Sequence, residues 1–398
     1  MISLYIHIPF CIRKCLYCDF LSFPCSSDGL KNKYIDALCN EIELTEVEDR
    51  LVGSIFIGGG TPTTLDPDQI GRILDKIREK FTLSIAIEIT LECNPGTTSP
   101  ENLIQLYRIG INRLSIGLQS SIDSELEALG RIHKYSDFVN TFKWAREAGF
   151  ENINVDLMSA LPGQSLENYK NTLTNVVKMN PEHVSAYSLI VEENTVFGGI
   201  YGDDKSVIEN LDDGILAKYK NLPLPDEDTE REMYYLTEEV LTEAGFHRYE
   251  ISNYAKDGYE CKHNKVYWTG GDYLSFGIGA SSYVKGVRYN NISDINAYIN
   301  EWNRGSRPIK DNIYCDITPL SDKDMMEEYM FVGLRLMEGI SISGFYDKFG
   351  VTMRDVYGHV LDRLVSEGLI IVEEDILKLS KRGIDVSNSV LCEFLLDN

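Results

Sequence analysis

The first half of this 398-residue chain alternates short apolar runs with amphipathic segments, and that rhythm narrows the fold more than any other feature. Leu4 to Ile8, Ser54 to Ile57, Ile85 to Leu91, Arg113 to Leu118, Ile153 to Leu157 and Val184 to Leu189 read as strands. Helical stretches lie between them. Leu30 to Leu44 puts Tyr34, Leu38 and Ile42 on one face. Asp66 caps the next helix, with Pro67 at its first position and Ile70, Ile73, Leu74 and Ile77 at helical spacing. Ser99 and Pro100 open a third, which Gly110 closes; helical segments run on to Gly149, and another starts at Ser165. Six consecutive βα units imply a parallel sheet with right-handed crossovers. Eight would close a barrel. Six predict an α/β fold with a partial (β/α)6 barrel, open enough to admit a large substrate.

In parallel sheets the site lies at the carboxyl ends of the strands. The chemistry-bearing residues fall there. Strand one leads into Cys11, Cys15 and Cys18, spaced CxxxCxxC. Strand two ends in Gly58-Gly59-Gly60-Thr61-Pro62 and strand three in Glu92; Gln119 follows strand four, and Asp156 and Tyr187 lie near the ends of strands five and six. Three closely spaced thiolates can wrap one side of a [4Fe–4S] cubane and leave one iron free. An open position is where a metal does chemistry. The same spacing admits a zinc knot, with His7 or another side chain as fourth ligand. Consecutive glycines suit close approach of backbone to a ligand, and also a plain turn. The chain has 9 cysteines, scattered and odd in number, as in a reducing compartment. Cys25, Cys39, Cys93, Cys261, Cys315 and Cys392 read as small buried hydrophobes.

A formal net charge of −24 argues against nonspecific nucleic-acid binding, which needs basic surface. No apolar run reaches 18 residues, so no membrane span is expected. The chain enters a strand with no basic leader or cleavage site, which points to a cytoplasmic protein. After Val191 the βα rhythm stops. The barrel domain is expected over 1–197, followed by an acidic, turn-rich linker or insertion over 198–230. The span 231–317 carries His263-Asn264-Lys265-Val266-Tyr267-Trp268, with Tyr254 and Tyr273 close by. An imidazole among aromatic rings is what a haem or tetrapyrrole pocket uses as an axial ligand. Aromatic packing between two domains would give the same pattern. The span 318–398 reads helix, turn, helix, turn, helix, then strands at Leu369 to Val372 and Ile376 to Leu379. That order resembles a winged helix. Without a basic excess it reads as packing rather than DNA binding.

CxxxCxxC resembles the signature of the radical S-adenosylmethionine (SAM) enzymes. The longer words YIHIPFC, CxYCDF, GGGTPT, ECNP, RLSIGLQS, ALGRIH, INVDLMSALPGQS, VSAYSLIVEEN, YEISNYA and HNKVYW make nearly the whole chain similar to the HemN/HemW family of radical SAM proteins. The resemblance implies a [4Fe–4S] cluster on Cys11, Cys15 and Cys18, with SAM on its open iron. It implies Gly60 and Thr61 at the SAM amino group, with Tyr5, Tyr17, Glu92, Gln119, Arg131 and Asp156 around the rest of SAM. His263 is the implied haem contact. The family has two branches. One is an oxygen-independent coproporphyrinogen III oxidase, a radical dehydrogenase that decarboxylates propionates in haem biosynthesis. The other is a haem chaperone. The oxidase reads CxxxCxxCxC, whereas Phe20 stands at the last position here. The oxidase also carries a long segment ahead of its cluster, and the HNxxYW word belongs to the chaperone branch. These features imply a chaperone whose partners are haem and a haem-accepting protein, soluble or transiently membrane-associated. Ser281 departs from the family's usual His, Val196 from its usual Pro, and the acidic segment is longer than usual.

Overall fold

A computed structural model describes residues 1–46, 50–203, 205–208, 213–305, 309 and 312–396. The strands β1 (Ile2–Ile8), β2 (Val52–Gly59), β3 (Leu83–Cys93), β4 (Arg113–Gln119), β5 (Ile153–Ser159) and β6 (His183–Ser188) lie side by side and parallel in that order. Most of their residues are buried on both faces, which is why they read as near-continuous apolar runs. The helices opened by Asp66, Ser99 and Ser165 start where those residues predict, and the first starts at Asp28, ahead of the expected Leu30. Ser27, Ser99 and Ser165 accept from backbone amides of the first turn. Asp66 and Gln69 form a reciprocal box ahead of Pro67–Lys80. Gly149 ends Tyr135–Ala148 with φ +108°, a left-handed conformation that favours glycine.

The sheet does not stop at six strands. Tyr273–Phe276 adds to the free edge of β1 in parallel, and Ser281–Val284, Val287–Asn291 and Tyr314–Pro319 continue it antiparallel. Asn253–Ala255 and His247–Arg248 extend the β6 edge. The result is one open 12-stranded sheet, so the span 231–317 is built into both edges of the barrel. A buried carboxylate fastens the β1 side. Glu41, on the first crossover helix, accepts from the Gly277 amide at 2.8 Å and the Asn291 side chain at 2.7 Å, and also bonds the Tyr298 hydroxyl. Burial pushes its carboxyl up to about 7, against those three bonds.

The acidic span 198–230 is largely helical among its described residues. The expected boundary at 197 falls inside the helix Val196–Tyr201, and Asp213–Lys220 and the start of Glu227–Glu243 follow. Tyr219 is buried, donates to the Ala128 carbonyl at 2.6 Å and packs on Phe197. With Leu129, Met158 and Leu161 these rings form a small core on the barrel rim.

The last domain has the expected order: helix Asp322–Gly333, strand Ile340–Ser341, helices Ile342–Phe349 and Met353–Ser366, then the hairpin Ile370–Glu373 and Ile376–Leu379. Its own core includes Met330, Phe345, Tyr357 and Leu377. It docks on the barrel through the Met337 amide to the Tyr249 carbonyl at 3.0 Å and Arg335 to buried Glu250 at 3.5 Å.

Candidate functional site

The tips of β1 to β5 converge on one cavity lined by Cys11, Cys15, Cys18, Tyr17, Gly60, Thr61, Glu92, Gln119, Arg131 and Asp156. Most of the site residues expected from the sequence are therefore brought together. The cysteine loop is held from several sides. Phe10–Cys11 pairs with Phe23–Pro24 in parallel, the Thr61 amide bonds the Phe10 carbonyl at 2.7 Å, and the Leu16 amide bonds the Leu129 carbonyl at 3.0 Å. Burial pushes the Cys18 thiol up, and Cys15 and Cys11 add to the rise because their charges lie close.

Gly59 has φ +109°, and a Cβ there would meet the His7 ring at 2.5 Å. That close approach lets the Gly59 amide donate to Glu92 at 3.0 Å. Glu92 is enclosed; burial first, then the neighbouring Asp156, pushes its carboxyl up to about 8. Asp156 is raised as well, chiefly by burial, while Asn154 at 2.7 Å and Ser115 at 3.2 Å hold it. Gln119 carries φ +70°, the sort of strained backbone that marks functional sites. Arg131 donates to Asn94 at 2.6 Å, the Gly117 carbonyl at 2.8 Å, His133 at 3.2 Å and Tyr17 at 3.2 Å. Asn94, Gly117 and Cys93 also line the cavity and were not expected as site residues. All three lie inside the words ECNP and RLSIGLQS. A Cβ on Gly117 would meet Asn94, Gln119 and Arg131 at 3.0–3.3 Å, so glycine leaves room for that polar cluster.

Two expected residues lie elsewhere. Tyr5 is inside the barrel, its hydroxyl 3.1 Å from His7 Nδ1, and burial and nearby Glu92 raise its pKa. His263 corrects the expectation of a haem ligand. It is 1% exposed, its Nδ1 lies 3.0 Å from Ser54 Oγ and its Nε2 2.9 Å from the Tyr267 hydroxyl. Phe56 packs on its ring at 5.2 Å. The helix Lys262–Trp268 is pinned to the barrel floor by Glu88, which accepts from the amides of Lys262 and His263. Burial holds His263 down at about 3, so the ring is neutral and both nitrogens have partners. Tyr267 and Phe56 pack on the ring, while Tyr267, Trp268 and Tyr273 line a separate cavity against the C-terminal domain.

The donor set suits a cubane. Soft thiolates are the ligands of iron–sulfur clusters. His7, the fourth ligand of a zinc knot, is engaged: its Nε2 lies 2.8 Å from the Leu21 carbonyl. Cys93 is buried with its thiol turned to the Asn94 carbonyl, and burial pushes it up to about 12, so it stays protonated.

A protein from Bacillus subtilis, "heme chaperone HemW", is 38% identical over 99% of this chain and 99% of its own length. The chain belongs to the HemW family of radical SAM proteins. Proteins of the same name from Lactococcus lactis and Escherichia coli are 34% and 33% identical over 100% of this chain and 98% of theirs. The radical SAM superfamily profile matches residues 5–176 and the HemN C-terminal domain profile residues 320–386. The solved structure of coproporphyrinogen III oxidase (HemN) from Escherichia coli superposes with a TM-score of 0.79 at 22% identity, covering 99% of this chain and 90% of that one. That likeness shows the fold. No helix among the described residues is long and apolar enough to cross a membrane.

Proposed function

We propose that this protein holds haem and hands it to an acceptor protein, with a [4Fe–4S] cluster and SAM at the strand tips. The observation that carries the reading is the end-to-end identity of 38% with a protein named a heme chaperone. Phe20 supports it: the side chain lies at the cavity rim, 64% exposed, where the oxidase branch has a further cysteine. Cys11, Cys15 and Cys18 hold the cluster. Glu92, fixed by the Gly59 amide, joins Gly60 and Thr61 at the SAM amino group, while Tyr17, Gln119, Arg131 and Asp156 surround the rest, with Tyr5 beneath them. When bound, the cluster supplies one-electron chemistry at the SAM sulfonium.

The haem seat is a separate cavity of about 320 Å³ between the barrel floor and the C-terminal domain. Tyr267, Trp268, Tyr273, Tyr283 and Tyr329 line it, with Arg288 and Lys348 beside them. Flat aromatic walls suit a macrocycle, and Lys348 suits a propionate, while Arg288 is paired with Glu328 at 2.8 Å. The Trp268 indole N–H is buried without a partner there. His263 acts on this cavity through its bond to Tyr267. The acceptor is met in the reducing cytoplasm or at a membrane surface.

One anaerobic preparation tests the reading. Titrated with haem, the protein takes up about one equivalent by absorbance. Given coproporphyrinogen III, SAM and a reductant, it yields no protoporphyrinogen. Conversion of the porphyrinogen without haem uptake would overturn the proposal.

A further inference from the structure

We propose that Arg131, Asn94 and Thr61 form a one-way hydrogen-bond relay that ends on the Cys11 sulfur and sets the reduction potential of the cluster held there. The proposal rests on the cluster reading above. The direction of each bond follows from what each group can do. A guanidinium only donates, so the Asn94 oxygen must face Arg131 Nη2, at 2.6 Å. The Asn94 amide nitrogen is thereby turned to Thr61 Oγ1, at 2.7 Å. An NH₂ group also only donates, so the Thr61 oxygen accepts and its single hydrogen is left for another partner. That partner is Cys11 Sγ, at 3.6 Å. Every member donates toward the sulfur, and such chains polarise one another in the same sense.

Thr61 is 3% and Cys11 7% exposed, so water competes little for this bond. The Thr61 backbone is fixed independently, since its amide bonds the Phe10 carbonyl at 2.7 Å. Hydrogen bonds to cluster sulfurs stabilise the reduced, more negative state and raise its potential. Cys11 is served by side chains from two strand tips, Thr61 and Asn94, backed by Arg131 from the loop after the helix Asp123–Ala128, so its bond can be tuned.

The test is an EPR-monitored redox titration of anaerobically reconstituted protein, with iron content checked for each variant. Thr61→Val keeps the shape and removes the donor; its midpoint potential shifts to a more negative value. Thr61→Ser restores the donor and titrates with the wild type. Asn94→Leu leaves Thr61 without its polarising partner and shifts less, in the same direction. The double variant Thr61→Val with Asn94→Leu shifts no further than Thr61→Val alone, because the effects share one wire. Should Thr61→Val assemble no cluster, the negative shift in Asn94→Leu carries the test. A Thr61→Val midpoint equal to the wild type, an unmoved Asn94→Leu midpoint, or a Thr61→Ser shift as large as that of valine overturns the relay. Wild-type protein that assembles no cluster overturns the proposed function itself, a result distinct from unmoved potentials in a loaded cluster.

Discussion

Glu92→Gln stabilises the cofactor-free protein, and more so as the solution becomes alkaline. The Glu92 carboxyl is raised from 4.5 to about 8, first by burial, then by Asp156, with the Gly59 amide opposing. A group with a higher pKa in the folded chain binds its proton more tightly there. Its contribution is therefore fully present below about 4.5 and is lost as pH rises through about 8. Above that, folding carries the full cost of a buried charge beside Asp156. Glutamine is neutral at every pH and its carbonyl can still accept from Gly59. At about 1.4 kcal/mol per pH unit, the advantage of Glu92→Gln grows by roughly 2–3 kcal/mol between pH 6 and pH 9. Urea unfolding of both proteins at the two pH values reads it. An advantage that is equal at pH 6 and pH 9 would show that the carboxyl is not raised. The same variant loses SAM binding after reconstitution, because the ligand amine has lost its carboxylate. Function keeps a residue here that stability alone would discard.

His263→Ala has the opposite signature: a large loss of stability with little change in haem spectrum. The substitution empties a closed site and strands Ser54 and the Tyr267 hydroxyl. Cavity and unpaired groups together cost on the order of 3–4 kcal/mol. The wild-type ring is held at about 3, against an ordinary value of 6.5. Its contribution is full above about 6.5 and erodes by about 1.4 kcal/mol per pH unit as pH falls toward 3. The alanine variant lacks that share of the acid slope. Denaturant unfolding at pH 7 and pH 5 gives both quantities. An absorbance spectrum of the haem-loaded variant with altered axial ligation, at unchanged stability, would reinstate His263 as a ligand. Tyr267→Phe is the counterpart: it keeps the ring and the fold but weakens haem uptake.

The barrel was legible because its signals are local. Strands covered on both faces show as unbroken apolar runs, and Asp66, Ser99 and Ser165 mark helix starts by their own chemistry. The strand-tip rule then gathers the cysteines, Glu92, Gln119 and Asp156, and the family resemblance adds Arg131. What escaped was pairing at a distance. Tyr273–Phe276 is four residues between glycines, and nothing in those residues names β1 as its partner. The acidic span 198–230 hid its fold because Phe197 and Tyr219 bury it against the barrel rim amid charged neighbours. His263 misled for a related reason. Tyr267, Trp268 and Tyr273 do line a cavity, but the imidazole itself is sealed by Tyr267 and by Phe56, which comes from the far side of the chain's order. Asn94 was inside a recognised word, yet its role appears only when Arg131 and Thr61 meet it on either side.

Everything at the strand tips depends on three thiols sharing one inorganic cluster with a corner left for SAM. Anaerobic reconstitution followed by iron, sulfide and zinc analysis, with EPR of the reduced protein before and after SAM, measures that directly. About four irons and four sulfides per chain, a signal that changes on adding SAM, and loss of both when Cys11, Cys15 and Cys18 are replaced by serine are the expected results. One zinc per chain with no cluster signal, or a cluster that survives in the triple-serine variant, would contradict it.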